Sequence, residues 1–223
     1  MNYILLTKHP WGLELFERLK RFKGNWRIFS DTDELLANVD TYKPRYIFVG
    51  FWHDRVPPEI TENYECVGFH PSDLPRDRGG SPIQHAILEG LPYVPFHAIR
   101  LNQEIDAGEI YFSCNLNLAG CAEEIYLRQV HLMSEFIGLM VKVEPPCVAQ
   151  MGTPTFLKRR TPKESEIKNV KSLMDLYDFI RMLDAEDYPH AFLNYQGFRF
   201  EFTNSTIRTG KVIADVKIIQ SKV

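Results

Sequence analysis

Cys66-Val67-Gly68-Phe69-His70-Pro71-Ser72-Asp73-Leu74-Pro75, continuing through Arg78-Gly79-Gly80-Ser81-Pro82-Ile83-Gln84 to Gly90, is the stretch on which the reading of this chain turns. Residues 66–69 form a short apolar run that reads as the end of a buried strand, with His70 where the strand stops. A loop rich in proline and glycine follows. Ser81 then stands where an N-cap belongs and Pro82 at the first helical position, a pairing that helix starts favour. Ile83, Ala86 and Ile87 fall at helical spacing, and Gly90 closes the helix. Open α/β sheets carry their chemistry on loops just past strand ends. Strand end, loop and helix start therefore make a candidate site.

Working outward toward the N-terminus, residues 45–50 are almost entirely apolar, as a strand buried on both faces should be. Residues 26–30 and 3–7 read as two further strands. Between them, one helix follows Lys8-His9-Pro10-Trp11-Gly12 with an apolar face of Leu13, Phe16 and Leu19. A second helix starts at Asp31 or Thr32 and carries Leu35, Leu36 and Val39. Strand, helix, strand, helix, strand at this spacing predicts a Rossmann-like α/β sheet. The amides opening the first helix can hold an anion, which makes Lys8, Trp11 and Gly12 candidates for substrate contact. After the third strand comes Phe51-Trp52-His53-Asp54-Arg55-Val56, a loop with the apolar surface and backbone amides that a flat heteroaromatic ring needs.

Toward the C-terminus, residues 93–101 alternate as a strand and 102–106 make a loop, with a further strand at 108–112. A long helix over 123–142 carries a stripe of Ile125, Leu127, Val130, Leu132, Met133, Phe136, Ile137 and Met140, best read as core. From Gln150 the texture changes to a basic loop. Ser172 then caps a short helix, and alternating strands at 198–202 and 212–219 end the chain. The expected division is a catalytic domain over 1–155 and a small helix-plus-β extension over 156–223, whose apolar tail could make a homodimer contact.

Composition narrows the function. With 223 residues, 44% of them apolar and 25% charged, the chain suits a soluble enzyme and can bury a core. A net charge of −3 leaves no electrostatic footprint for nucleic acid. No signal peptide and no spanning segment is read, so a cytoplasmic setting is expected. Cys66, Cys114, Cys121 and Cys147 lack metal-ligand spacing, so buried reduced thiols and no metal are expected.

His-Pro-Ser, Leu-Pro, Arg-Gly and Pro-Ile at these spacings, together with Ile105-Asp106-Ala107-Gly108-Glu109-Ile110 further on, resemble the formyltransferase family that uses 10-formyltetrahydrofolate. Its members act on methionyl-tRNA, glycinamide ribonucleotide or amino sugars. The double glycine followed by Ser-Pro is most similar to members that formylate nucleotide-linked amino sugars on pseudaminic-acid-type routes. The resemblance implies His70 and Asp106 as the catalytic pair. It also implies a folate pocket drawn from Phe51, Trp52, His53, Asp54, Arg55, Val56, Asp73 and Leu74. Substrate contacts would come from Lys8, Trp11, Gly12, Ser72, Arg78, Gly79, Gly80 and Ser81. The acceptor it implies is a nucleotide-linked dideoxy amino sugar; the rivals are a tRNA or ribonucleotide enzyme and a folate-binding protein without turnover.

Formyl transfer needs two partners in attack geometry, a proton carrier and an oxyanion stabiliser. A histidine near neutral pKa can carry protons, and a neighbouring aspartate orients the ring and favours its cation. One departure from the family pattern bears on the oxyanion: the family asparagine falls on Gly68, which has no amide to donate. Three outcomes follow from that: another donor replaces it (a backbone amide, Ser72 or Asn102), protonated His70 acts alone, or catalysis is lost. Replacement is the favoured expectation.

Overall fold

Apolar runs separated by amphipathic ones give alternating strands and helices in the computed structural model, which describes residues 1–220. In chain order these are β1 (Asn2–Leu6), α1 (Pro10–Leu19), β2 (Asn25–Phe29), α2 (Thr32–Tyr42), β3 (Tyr46–Val49), the single turn α3 (Pro58–Thr61) and β4 (Cys66–His70). Then follow β5 (Arg78–Gly79), α4 (Pro82–Leu88), β6 (Tyr93–Arg100), β7 (Ile110–Asn117), α5 (Ala122–Val143) and β8 (Phe156–Leu157). A 3-10 turn (Pro162–Ser165), α6 (Leu173–Arg181), β9 (Ala191–Tyr195), β10 (Phe198–Arg208) and β11 (Lys211–Gln220) complete the chain. The first four strands are parallel to one another, and β6 runs antiparallel to β4, in a six-stranded sheet of order β2-β1-β3-β4-β6-β7. This is the mixed, mostly parallel Rossmann-like sheet expected from the residues.

The chain divides into two compact units. One comprises residues 1–78, 95–116 and 127–156; the other comprises 79–94, 117–126 and the chain from 157 onward. In the first unit, Ile4, Leu6, Ile47, Val49 and Phe29 on the sheet bury against Leu35 and Val39 of α2 and against Ile60. Alternate residues serve the opposite face, where Leu5, Leu15 and Met133 crowd around Gly50. Asp31 caps α2 by accepting the amides of Asp33 and Glu34, as its position predicts.

The α1 face differs from expectation. Trp11, Leu15 and Leu19 point inward, and Leu13 is 60% exposed. Residues four apart share one side of a helix, and Leu13 lies about 200° round from Trp11 at 100° per residue. The cysteines also differ, since Cys66 alone is buried and its thiol is pushed up to about 12 by that burial.

In the second unit, α6 packs against α4 and on a three-stranded antiparallel sheet of order β11-β10-β9. Ser172 caps α6 as expected, its hydroxyl accepting the Asp175 amide. Buried Arg181 ties this unit together by donating to the carbonyls of Leu118 and Gly120 while pairing with Asp178 at 2.6 Å. Gln84 of α4 donates to the Tyr126 hydroxyl and to the Met182 carbonyl. Ser81 occupies the N-cap position of α4, yet its backbone is left-handed and its side chain makes no cap. Its hydroxyl instead accepts the Arg160 amide at 3.1 Å, a partner far along the chain that competes with local capping.

Candidate active site

His70 is the last residue of β4 and only 5% exposed. Its Nδ1 lies 3.4 Å from the Asp106 carboxylate, and its Nε2 lies 3.0 Å from the Asp77 carbonyl. A carbonyl can only accept, so Nε2 carries a proton. Acceptors therefore flank both ring nitrogens. Asp106 arrives from the loop between β6 and β7. Because β6 is antiparallel, its last residue pairs with Val67, three residues short of His70. The following loop must double back to bring Asp106 to the histidine, so the two residues do not sit at neighbouring strand ends. Asp106 holds a left-handed backbone with φ 49°, which aspartate tolerates better than most residues. Two positions on, a Cβ on Gly108 would stand 1.5 Å from the Arg100 carbonyl oxygen, so only glycine fits there.

The segment after His70 is held from the chain around 150–155. Asp77 N–H donates to Thr155 Oγ1 at 2.9 Å, and Arg78 N–H to the Thr155 carbonyl at 3.0 Å. Buried Arg78 donates from Nε and Nη2 to Gln150 Oε1 at 3.2 and 2.7 Å. Asp73 and Leu74 line an open cleft of about 320 Å³ with Pro75, Arg76, Met151, Gly152 and Thr153. Ser72 is buried and donates its hydroxyl to the Arg76 carbonyl, and Asn102 Oδ1 accepts the Glu104 amide. The space in front of Gly68 is filled by Leu101, whose Cδ2 would be 2.6 Å from a Cβ there.

A second group of expected residues gathers past β1 and β3. Lys8 Nζ pairs with Asp54 at 2.7 Å and lies 4.4 Å over the Trp52 ring, and Trp11 packs on Phe51 at 5.6 Å. His9 stacks on Trp11 and meets His53 edge-on at 4.8 Å. Lys8 and Trp11 thus share one cluster with Phe51, Trp52, His53 and Asp54. Phe51 is left-handed at φ 51°, an uncommon conformation for an aromatic residue. The Trp52 indole N–H is buried without an acceptor. Gly12 lets α1 approach the chain just past β1, since a Cβ there would strike the Thr7 side chain. Arg55 is exposed and Val56 half-buried against the apolar core.

Gly79, Gly80 and Ser81 belong to the second unit. A Cβ on Gly79 would meet the Leu157 carbonyl at 2.6 Å, and one on Gly80 would meet Arg159 at 2.5 Å. Close backbone packing accounts for both glycines. Gln150, Thr155, Asp77 and buried His97 were not picked out from the sequence. His97 lies opposite His70 in the β4–β6 register and contacts Ser113 Oγ at 2.6 Å. Among the described residues no group of three or more His, Cys, Asp or Glu side chains could hold a metal, and no helix is long and apolar enough to cross a membrane.

Comparison with known proteins bears on the family and the fold. The family described as "Formyl transferase" matches residues 21–129, and "Methionyl-tRNA formyltransferase, C-terminal domain" matches residues 162–219. A solved structure titled methionyl-tRNA formyltransferase from Clostridium thermocellum is 39% identical with a TM-score of 0.95, covering 99% of this chain and 100% of that one. The chain belongs to the formyl transferase family. The methionyl-tRNA formyltransferase of Rickettsia typhi is 30% identical over 172 residues, which are 74% of this chain and 55% of that protein. The chain thus spans about half the length of the curated relatives it matches. HypX from Aquifex aeolicus in complex with tetrahydrofolic acid shares the fold at 15% identity, with a TM-score of 0.75 over 91% of this chain and 37% of that one.

Proposed function

We propose that this protein moves a formyl group from 10-formyltetrahydrofolate to the primary amine of a nucleotide-linked dideoxy amino sugar. The observation that carries the reaction is buried His70 paired with half-buried Asp106 at 3.4 Å on the two motif segments. The co-substrate supplies an activated formyl carbon. Phe51, Trp52, His53, Asp54, Arg55, Val56, Asp73 and Leu74 are proposed to hold it. The buried Trp52 N–H without an acceptor suits a polar heteroaromatic ring. The imidazolium is the form of His70 with one N–H for each flanking acceptor, and Asp106 holds its orientation. With no side-chain amide at Gly68, Leu101 filling the space in front of it and the Ser72 hydroxyl given to the Arg76 carbonyl, the charge on a protonated His70 is proposed to stabilise the oxyanion. The Nε2 proton now given to Asp77 passes to the leaving nitrogen, and the ring regains one from the incoming amine, ending as it began.

Lys8, Trp11 and Gly12, with Ser72, Arg78, Gly79, Gly80 and Ser81, are proposed on the acceptor side. A net charge of −3 supports a small anionic sugar over a polynucleotide. Methionyl-tRNA is the second reading, favoured by the name of the relative that is 39% identical over its whole length. We further propose a cytoplasmic setting, consistent with four free cysteines. A homodimer through the last strands is also proposed, supported by Val216 and Ile218 at 47% and 61% exposure; a monomer by light scattering would remove it. The reaction is tested with His70→Ala. It should lower formyl transfer about a hundredfold or more while folate still binds by calorimetry. Unchanged turnover would take His70 out of the mechanism.

A further inference from the structure

Gln150 stands on no strand or helix and carries no group that reacts, yet its amide is at the centre of the candidate site. Its Nε2 donates to two carbonyls of the doubled-back loop, Asp106 O at 2.7 Å and Gly108 O at 2.8 Å. Its Oε1 accepts two N–H groups from the Arg78 guanidinium at 3.2 and 2.7 Å. Both donor hydrogens and both acceptor lone pairs are therefore engaged, and the amide can sit only one way round. The two ends of this amide hold the two surroundings of His70. One end fixes the left-handed turn that presents the Asp106 carboxylate to Nδ1. The other fixes Arg78, the residue after Asp77, whose carbonyl faces Nε2.

We infer that Gln150 is a positioning residue for the His70–Asp106 pair, setting both acceptors around the imidazole through one side-chain amide. The inference rests on the proposed formyl transfer. Displacing reacting groups by about 1 Å can lower rate roughly a hundredfold, so a group that sets both acceptors should act on turnover more than on binding. Gln150 touches no reacting atom, and its effect is carried entirely by backbone carbonyls and Arg78.

The test uses the full chain with Gln150→Glu and Gln150→Asn. Glutamate keeps the shape and strengthens the Arg78 contact but has no N–H for the Asp106 and Gly108 carbonyls; asparagine keeps the chemistry but is one methylene short. Both should lower kcat about tenfold to a hundredfold with KM for 10-formyltetrahydrofolate within about threefold of the parent. Glu, which adds a negative charge near Asp106, should also move the pH–rate profile toward higher pH, and Asn should not. A folded Glu variant with parental kcat and an unmoved profile would overturn the inference. An independent readout is the His70 ring in 15N-correlated NMR spectra, which needs no acceptor. The Glu variant should shift the His70 ring nitrogens while leaving His85 in place. If the parent shows no formyl transfer but this shift is seen, the proposed reaction falls and the positioning stands. If His70 does not respond, the positioning falls whatever the activity.

Discussion

Gly68 and Gly108 lack side chains for different reasons, and the difference can be measured. At Gly108 a Cβ would be 1.5 Å from a backbone oxygen that cannot move without breaking the β6 hairpin. Gly108→Ala should destabilise by about 3 kcal/mol or more, read by urea denaturation. At Gly68 the obstacle is the far end of Leu101, which can turn away. Gly68→Asn should destabilise by only about 1–3 kcal/mol. Combined with Leu101→Ala, it should be less harmful than the two separate losses added, by about 0.5 kcal/mol or more. Strict additivity would show that Leu101 does not occupy the asparagine's place. His70 and Asp106 were legible because each sits in a motif with its own spacing. Gln150 was not, because a side chain that bonds distant carbonyls leaves no pattern in the residues it serves.

The pairing of β4 with β6 places two buried histidines, His70 and His97, side by side. Burial pushes His97 down from its ordinary value, with the charge of His70 acting the same way; the Ser72 backbone and Asp73 oppose it. A ring that resists protonation when folded, but not when unfolded, leaves stability intact above about pH 6.5. That stability is lost as the pH falls toward the folded value. The thermal midpoint should therefore drop between about pH 7 and pH 5, by up to about 1.4 kcal/mol of stability per pH unit from this group. His97→Gln should flatten that drop. An equal slope in the variant would assign it to other groups. At this scale the sheet was readable from apolar runs, because buried parallel strands have little choice of composition. The facing of α1 was not, because Leu13, Leu15 and Phe16 offer two overlapping stripes and only packing on the sheet selects one. Nor was the cap of α4, where a long-range partner, Arg160, took the Ser81 hydroxyl.

Across the whole molecule the sign of the charge separates the acceptor readings. A protein that neutralises phosphates with Lys and Arg binds tRNA with a steep salt dependence. With 26 basic and 29 acidic side chains, this one should bind tRNA weakly at 150 mM salt and compete poorly for it against a nucleotide-linked sugar. Fluorescence anisotropy with labelled tRNA checks this, and tight, salt-sensitive binding would favour the tRNA reading. The overall architecture was legible from element order. That the second unit is built from separate stretches of chain was not, since contacts that join residues 79–94 to the chain beyond 157 have no local signature. The most direct measurement of the central claim incubates the protein with 10-formyltetrahydrofolate and a panel of nucleotide-linked amino sugars and methionyl-tRNA, followed by mass spectrometry. The expected result is one added formyl group on an amino sugar, lost in His70→Ala. No formylated product from any amine, while folate still binds, would contradict it.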